Sequence, residues 1–203
     1  DDKLKNYVNS RVSRGKIDMF VSIGASDEEP CDVTVNHQLV SGYINAFKEI
    51  SEKLLKVNNL AIEGKPEDMV IATHVCRGNY HSAYFSSGAY DPVAEPLFGR
   101  ENVSAYYLEF DDERSGGFAP LAKVSGDKKV VLGLITTKSP LLENKELVIN
   151  RIKEASKYIP LDRLYLSPQC GFASCEIGNK LTEEEQWNKL RLVKEIAEEV
   201  WGC

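Results

Sequence analysis

The chain has 203 residues, a formal net charge of −6, 42% hydrophobic residues and 28% charged ones. That length suits one domain or part of a larger one, and an acidic chain with no Lys/Arg-rich run is a poor match for nucleic acid, whose phosphates need a basic face. No stretch approaches the ~18–20 uninterrupted apolar residues of a membrane span, and the start carries no signal-peptide pattern.

The first residues, Asp1-Asp2-Lys3, include no initiator Met. This is compatible with a fragment, a processed product or the ordered part of a longer chain. Residues 1–31 are irregular, with Ile17 to Ile23 as a candidate strand. Leu39, Val40, Tyr43, Ile44, Phe47, Ile50, Leu54 and Leu55 then recur at helical spacing and predict an amphipathic helix, closed by the polar stretch Asn58 to Asp68. Met69 to Val75 reads as a strand by its apolar, β-branched content. A loop rich in Gly, Ser and Tyr runs from Arg77 to Asp91, and one or two helical turns follow at Pro92 to Phe98. Ser104 to Phe110 is the next strand, Asp111 to Gly117 a loop, and Lys129 to Ile135 a third strand. Lys145 to Tyr158 predicts a second helix, with Leu147, Val148, Ile152, Ala155 and Ile159 inward. Leu164 to Leu166 is a fourth strand. The last helix starts at Thr182, which has capping-box spacing to Glu185, and turns Trp187, Leu190, Val193, Ile196, Ala197 and Val200 inward.

Strands alternating with helices imply an α/β fold with a parallel sheet, and near-continuous apolar strands imply burial on both faces. In such folds the site lies at the C-terminal ends of the strands. His74, Cys76, Glu109 and Cys170 all fall there. Imidazole, thiolate and carboxylate are the groups that zinc accepts in a tetrahedron, so the four are candidate ligands at one mouth of a β/α barrel. A substrate thiol joining such a metal loses its proton near neutral pH and remains a nucleophile.

Blander readings stand beside this one. A cysteine beside a strand is most often a small core residue, and a lone histidine is more often structural. The five cysteines, Cys31, Cys76, Cys170, Cys175 and Cys203, make a poor disulfide framework, so a reducing cytoplasm is the simpler home. Cys31, Cys175 and Cys203 read as bystanders, and His37 and His81 as surface residues. Asp111, Asp112, Glu113 and Arg114 form either a solvated ion-paired loop or a contact for a substrate amine. The aromatic loop Tyr80 to Tyr90 either packs or closes over a ligand. Lys138 either meets a substrate carboxylate or holds a loop.

HVCRGN, YYLEFDDERSG, VLGLITTKSP, LYLSPQCGFAS and the closing LTEEEQWNKLRLVKEIAEEVWG together resemble the cobalamin-independent methionine synthase superfamily, nearest to its single-barrel, methionine synthase II-like members. The resemblance covers about residues 35 to 202, leaving 1–34 poorly matched within an expected single domain, 1–203. It implies a (β/α)8 TIM-type barrel, of which this chain holds the C-terminal part. It implies a catalytic zinc on His74, Cys76, Glu109 and Cys170. It also implies methyl transfer from a methyltetrahydrofolate-like donor to a homocysteine-like thiol, giving methionine. Asp1 resembles one of an acidic pair that holds the amino acid's amine.

Two departures matter. Family members with the full activity carry a histidine before Ser-Pro after the third strand seen here, and this chain has Lys138 before Ser139-Pro140. An open half-barrel would also expose apolar edges, so either the missing half exists elsewhere or two copies cover each other as a homodimer. The rival readings are therefore a zinc-dependent alkyltransferase for another small thiol or donor, and a non-catalytic fragment or paralogue.

Overall fold

The computed structural model describes residues 37–202. Asp1, the strand expected at Ile17 to Ile23, Cys31 and Cys203 lie outside the described residues. In chain order the elements are α1 (His37–Ala61), β1 (Ala72–Val75), β2 (Ala105–Glu109), β3 (Lys129–Ile135), α2 (Lys145–Ala155), β4 (Leu164–Pro168) and α3 (Glu183–Trp201). The four strands form one parallel sheet in the order β1-β2-β3-β4.

Pairing in register puts side chains of alternate rows on opposite faces. Tyr106, Val130 and Leu164 share one face with Leu108 and Leu132, and all are buried with α2 and α3 residues such as Ile152, Ala155, Leu192 and Ile196. The opposite face carries the row His74, Tyr107, Val131 and Tyr165. Here Tyr107 is 44% and Tyr165 47% exposed. The expectation of burial on both faces therefore holds only for β3, whose residues beyond Lys129 are all buried. Among the described residues nothing covers the outer strands on that side.

β1 is shorter than the apolar run suggests. The Met69 N–H turns back to the Pro66 carbonyl at 3.1 Å, and Met69 and Val70 are exposed. α1 instead runs past its expected end. Asn58 donates to Glu101 at 2.9 Å, while Asn59 donates to the Arg100 carbonyl at 3.1 Å and accepts from the Asn102 N–H at 2.8 Å. These tertiary bonds outweigh the turn preference of two asparagines. α2 stops at Ala155, three residues early, where the Ser156 hydroxyl donates to the Lys153 carbonyl at 2.8 Å. Two residues expected inside lie outside, Leu147 at 64% and Trp187 at 49% exposure. Their helices bury the neighbouring stripes Val148, Ile149 and Ile152, and Lys189, Leu192 and Ile196.

Gly133 sits where β4 bends over β3, at an irregularity in their register. A Cβ there would lie 2.7 Å from the Gln169 Cα and 2.8 Å from the Leu108 carbonyl oxygen. Both are backbone atoms, so no side chain can swing away. Gly133→Ala is expected to destabilise the fold by about 1–3 kcal/mol, as overpacking does, in urea unfolding. Unchanged stability would mean that the strand ends separate freely.

Candidate metal centre

The strand ends bring four side chains together. Nitrogen, sulfur and oxygen atoms of His74, Cys76, Glu109 and Cys170 all lie within 4.8 Å of one another. Cys76 Sγ is 3.9 Å from Cys170 Sγ, Cys170 Sγ is 3.7 Å from His74 Nε2, and His74 Nε2 is 4.0 Å from Glu109 Oε1. A tetrahedral zinc with bonds of ~2.0–2.3 Å sets its ligands ~3.3–3.8 Å apart, so small shifts of side chains would close the set. The Glu109 side chain is 1% exposed, and neither carboxylate oxygen has a hydrogen-bond partner. An anion buried without a partner is unfavourable, and a cation among these four groups would relieve it.

The surroundings orient these groups. The His74 Nδ1 faces the Tyr107 carbonyl at 3.1 Å. With the proton on Nδ1, Nε2 is left free to ligate, a common arrangement around metal-bound imidazole. The Gly78 N–H donates to Cys76 Sγ at 3.3 Å. Burial pushes the Cys76 thiol up, Gly78 opposes this, and the nearby Cys170 and Glu109 add to the rise. Cation binding is what would favour the thiolate here.

Arg77, the fourth residue of HVCRGN, joins the site without being one of the four candidate ligands. It is 5% exposed, and its Nη1 donates to the Glu109 carbonyl at 2.9 Å and the Tyr90 hydroxyl at 2.8 Å. Its Nη2 donates to the Gly88 carbonyl at 2.7 Å, and its guanidinium lies 4.2 Å from the Tyr90 ring centroid. Burial pushes the Tyr90 phenol up to about 12, so it stays protonated and donates to the Glu109 carbonyl at 3.2 Å. Arg77 thus joins the backbone beside Cys76 to that of Glu109. Its position directly after a candidate ligand was the only available signal.

The other singled-out residues fall elsewhere. Lys138 is not in the cluster, and its buried Nζ has no hydrogen-bond partner. Arg114 pairs with Asp112 at 2.5 Å and stacks 3.9 Å from the Tyr84 ring centroid, so the acidic loop holds local ion pairs. Cys175 is a free, exposed thiol. His81 is not simply a surface residue. It is half-buried at φ 44°, with Nδ1 3.0 Å from the Gly178 carbonyl. A cleft of about 640 Å³ opens beside His74, Cys76 and Arg77, and Leu54 is also in its lining. No described helix is long and apolar enough to cross a membrane.

Comparison with known proteins adds to this geometry. The family model for the catalytic domain of cobalamin-independent synthase matches residues 55–199. A second family model, for the N-terminal region of YicC-like endoribonucleases, matches residues 1–81 and overlaps the first over 55–81. That second likeness was not read from the sequence. The uncharacterized protein YxjG of Bacillus subtilis is 52% identical over 154 residues, covering 75% of this chain and 41% of its own. The methionine synthase of Pyrococcus abyssi is 24% identical over 130 residues, 64% of this chain and 34% of its own. A solved Listeria monocytogenes structure, described as a candidate vitamin-B12-independent methionine synthase, is 40% identical. It aligns with a TM-score of 0.58 over 75% of this chain and 42% of its own. The chain therefore spans about two fifths or less of the length of these relatives.

Proposed function

Because the chain belongs to the cobalamin-independent synthase family, we propose that it carries the metal-binding half of a zinc-dependent methyltransferase acting on a small thiol. The observation that carries this reading is the convergence of one imidazole, two thiols and one unpartnered buried carboxylate at the ends of three parallel strands. Zinc bound to His74, Cys76, Glu109 and Cys170 would activate the substrate thiol by favouring its deprotonated, nucleophilic form.

The chain's own residues supply the rest. Tyr107 holds the imidazole, Gly78 steadies the Cys76 sulfur, and Arg77 with Tyr90 holds the backbone of Glu109. His74 and Cys76 are exposed while Glu109 is buried, so a thiol would approach from the histidine and cysteine side. A methylfolate-like donor and a homocysteine-like thiol are the substrates that the family suggests. The open face of the parallel sheet supports reading it as the C-terminal half of a (β/α)8 barrel, with the first half supplied by further chain or by a second copy. A different thiol or donor is the second reading, favoured by Lys138, whose buried ammonium has no partner and stands where family members place a histidine.

Metal analysis of the purified protein is expected to give about one zinc per chain, lost on Cys76→Ser or Cys170→Ser. A panel of thiols and methyl donors, assayed for thioether product, separates the two substrate readings. A folded protein with all four residues intact that takes up no zinc would sink both.

A further inference from the structure

Cys76 and Cys170 follow β1 and β4, which are opposite edges of the sheet. Strands lie ~4.8 Å apart, so edges three strands apart are ~14 Å from each other in a flat sheet. The two sulfurs are nonetheless 3.9 Å apart, and no ladder bond joins β1 to β4. Something beyond the sheet must draw these loops together.

A buried polar network spans that gap. Asn79, three residues beyond Cys76, donates from Nδ2 to the carbonyl of Gly171, the residue after Cys170, at 2.7 Å. Asn179 donates from Nδ2 to Asn79 Oδ1 at 2.9 Å and to the Thr137 carbonyl at 2.7 Å, and its Oδ1 accepts from the Ser82 N–H at 3.2 Å. Gln169, the residue before Cys170, donates from Nε2 to Thr137 Oγ1 at 2.7 Å. Asn79, Thr137, Gln169 and Asn179 are each 8% exposed or less. The network therefore grips the chain on both sides of Cys170, close behind Cys76 and at the end of β3. Ser82, its member from the loop after β1, sits at φ 66°, a left-handed backbone rare outside glycine.

We propose that Asn179 is a positioning residue for the metal centre, acting through Asn79 to hold the two cysteine-bearing loops at ligating distance before the metal arrives. This rests on the zinc reading above and goes beyond it, because Asn179 touches no ligand side chain and lies outside the four-residue set. No hydrogen bond donated by the Asn179 side chain can survive loss of its amide NH2. A metal would then have to close the loops itself, and that ordering would be subtracted from its affinity.

The test uses the full 203-residue chain, stripped of metal and titrated with Co²⁺, with zinc affinity read by competition. Asn179→Ala and the isosteric Asn179→Asp are each expected to weaken metal binding about 10–100-fold, as lost outer contacts do. Both should also alter the thiolate-to-cobalt absorption, which a merely structural loss would leave unchanged in the fraction that binds. Asn79→Ala reads the same bond from its other end, and the double variant should bind no more weakly than the worse single one. If Asn179→Ala does not fold, Asn179→Asp and Asn79→Ala carry the same comparison. Parent-like affinity and spectrum in the folded variants overturn the positioning role alone. A parent that takes up neither cobalt nor zinc overturns the metal reading, and the positioning role with it.

Discussion

Lys189→Ala is expected to destabilise the protein by about 3–5 kcal/mol, as breaking a buried ion pair does. The Lys189 side chain is fully buried on α3, and its Nζ donates to Glu143 at 3.0 and 3.1 Å and to the Leu141 carbonyl at 2.7 Å. Glu143 Oε1 in turn accepts the Thr136 N–H at 2.9 Å. Truncation leaves a carboxylate and a carbonyl without their shared donor in a site that Ala cannot fill. Glu143 is 18% exposed on its side chain, so water would relieve part of the loss and the lower end of the range is the better expectation. Lys189→Met with Glu143→Gln should recover much of it, because the uncompensated charge goes as well. Urea unfolding of the two single variants and the double one gives the coupling directly. A loss below ~1 kcal/mol for Lys189→Ala would place the pair in the class of exposed salt bridges. The same variant bears on the site. Glu143 and Lys189 pin the 136–144 loop through Thr136 and Leu141, and that loop carries both Lys138 and Thr137 of the polar network.

These residues show where sequence was readable. β3 could be bounded end to end, because seven residues from Lys129 to Ile135 form one apolar run in the middle of the sheet. The capping box was equally local. Thr182 and Glu185 exchange hydrogen bonds at 2.7 and 3.2 Å, a geometry set by three-residue spacing alone. Four residues with ligand chemistry stood out as a set because each falls at the C-terminal end of a strand, where a parallel α/β fold carries its site, and the structure brings those four together. What could not be read depends on distant partners. Lys189 lies on a buried stripe that hydrophobic periodicity would give to an apolar residue, and Glu143, 46 positions away, with the Leu141 carbonyl makes it tenable. Asn79 and Asn179 are polar residues in loops, and their meeting across 100 positions leaves no periodic trace. Helical periodicity placed Trp187 inward with Leu190 and Val193, yet it lies outside and its indole N–H donates to Glu183 at 3.2 Å.

Glu109→Gln should move two measurements in opposite directions. Glu109 is 0% exposed, and neither of its carboxylate oxygens has a hydrogen-bond partner. In the metal-free protein this charge opposes folding, and the neutral amide of the same shape opposes it less. Chelator-treated Glu109→Gln is therefore expected to be more stable than chelator-treated parent, by on the order of 1–3 kcal/mol for a relieved buried polar group. With zinc present the order should reverse. A ligand that binds only the folded state stabilises it by about 2.7 kcal/mol at a hundred times its Kd, and the variant, short of one anionic ligand, would forgo most of that gain. Urea unfolding of both proteins, with chelator and with excess zinc, gives four curves whose midpoints decide the matter. If Glu109→Gln is the less stable protein in both conditions, the carboxylate serves the fold, and the metal reading loses its only anionic oxygen ligand. If the midpoints cross, Glu109 is a residue kept against the interest of the metal-free fold, which is the expected mark of a ligand and not of a core residue.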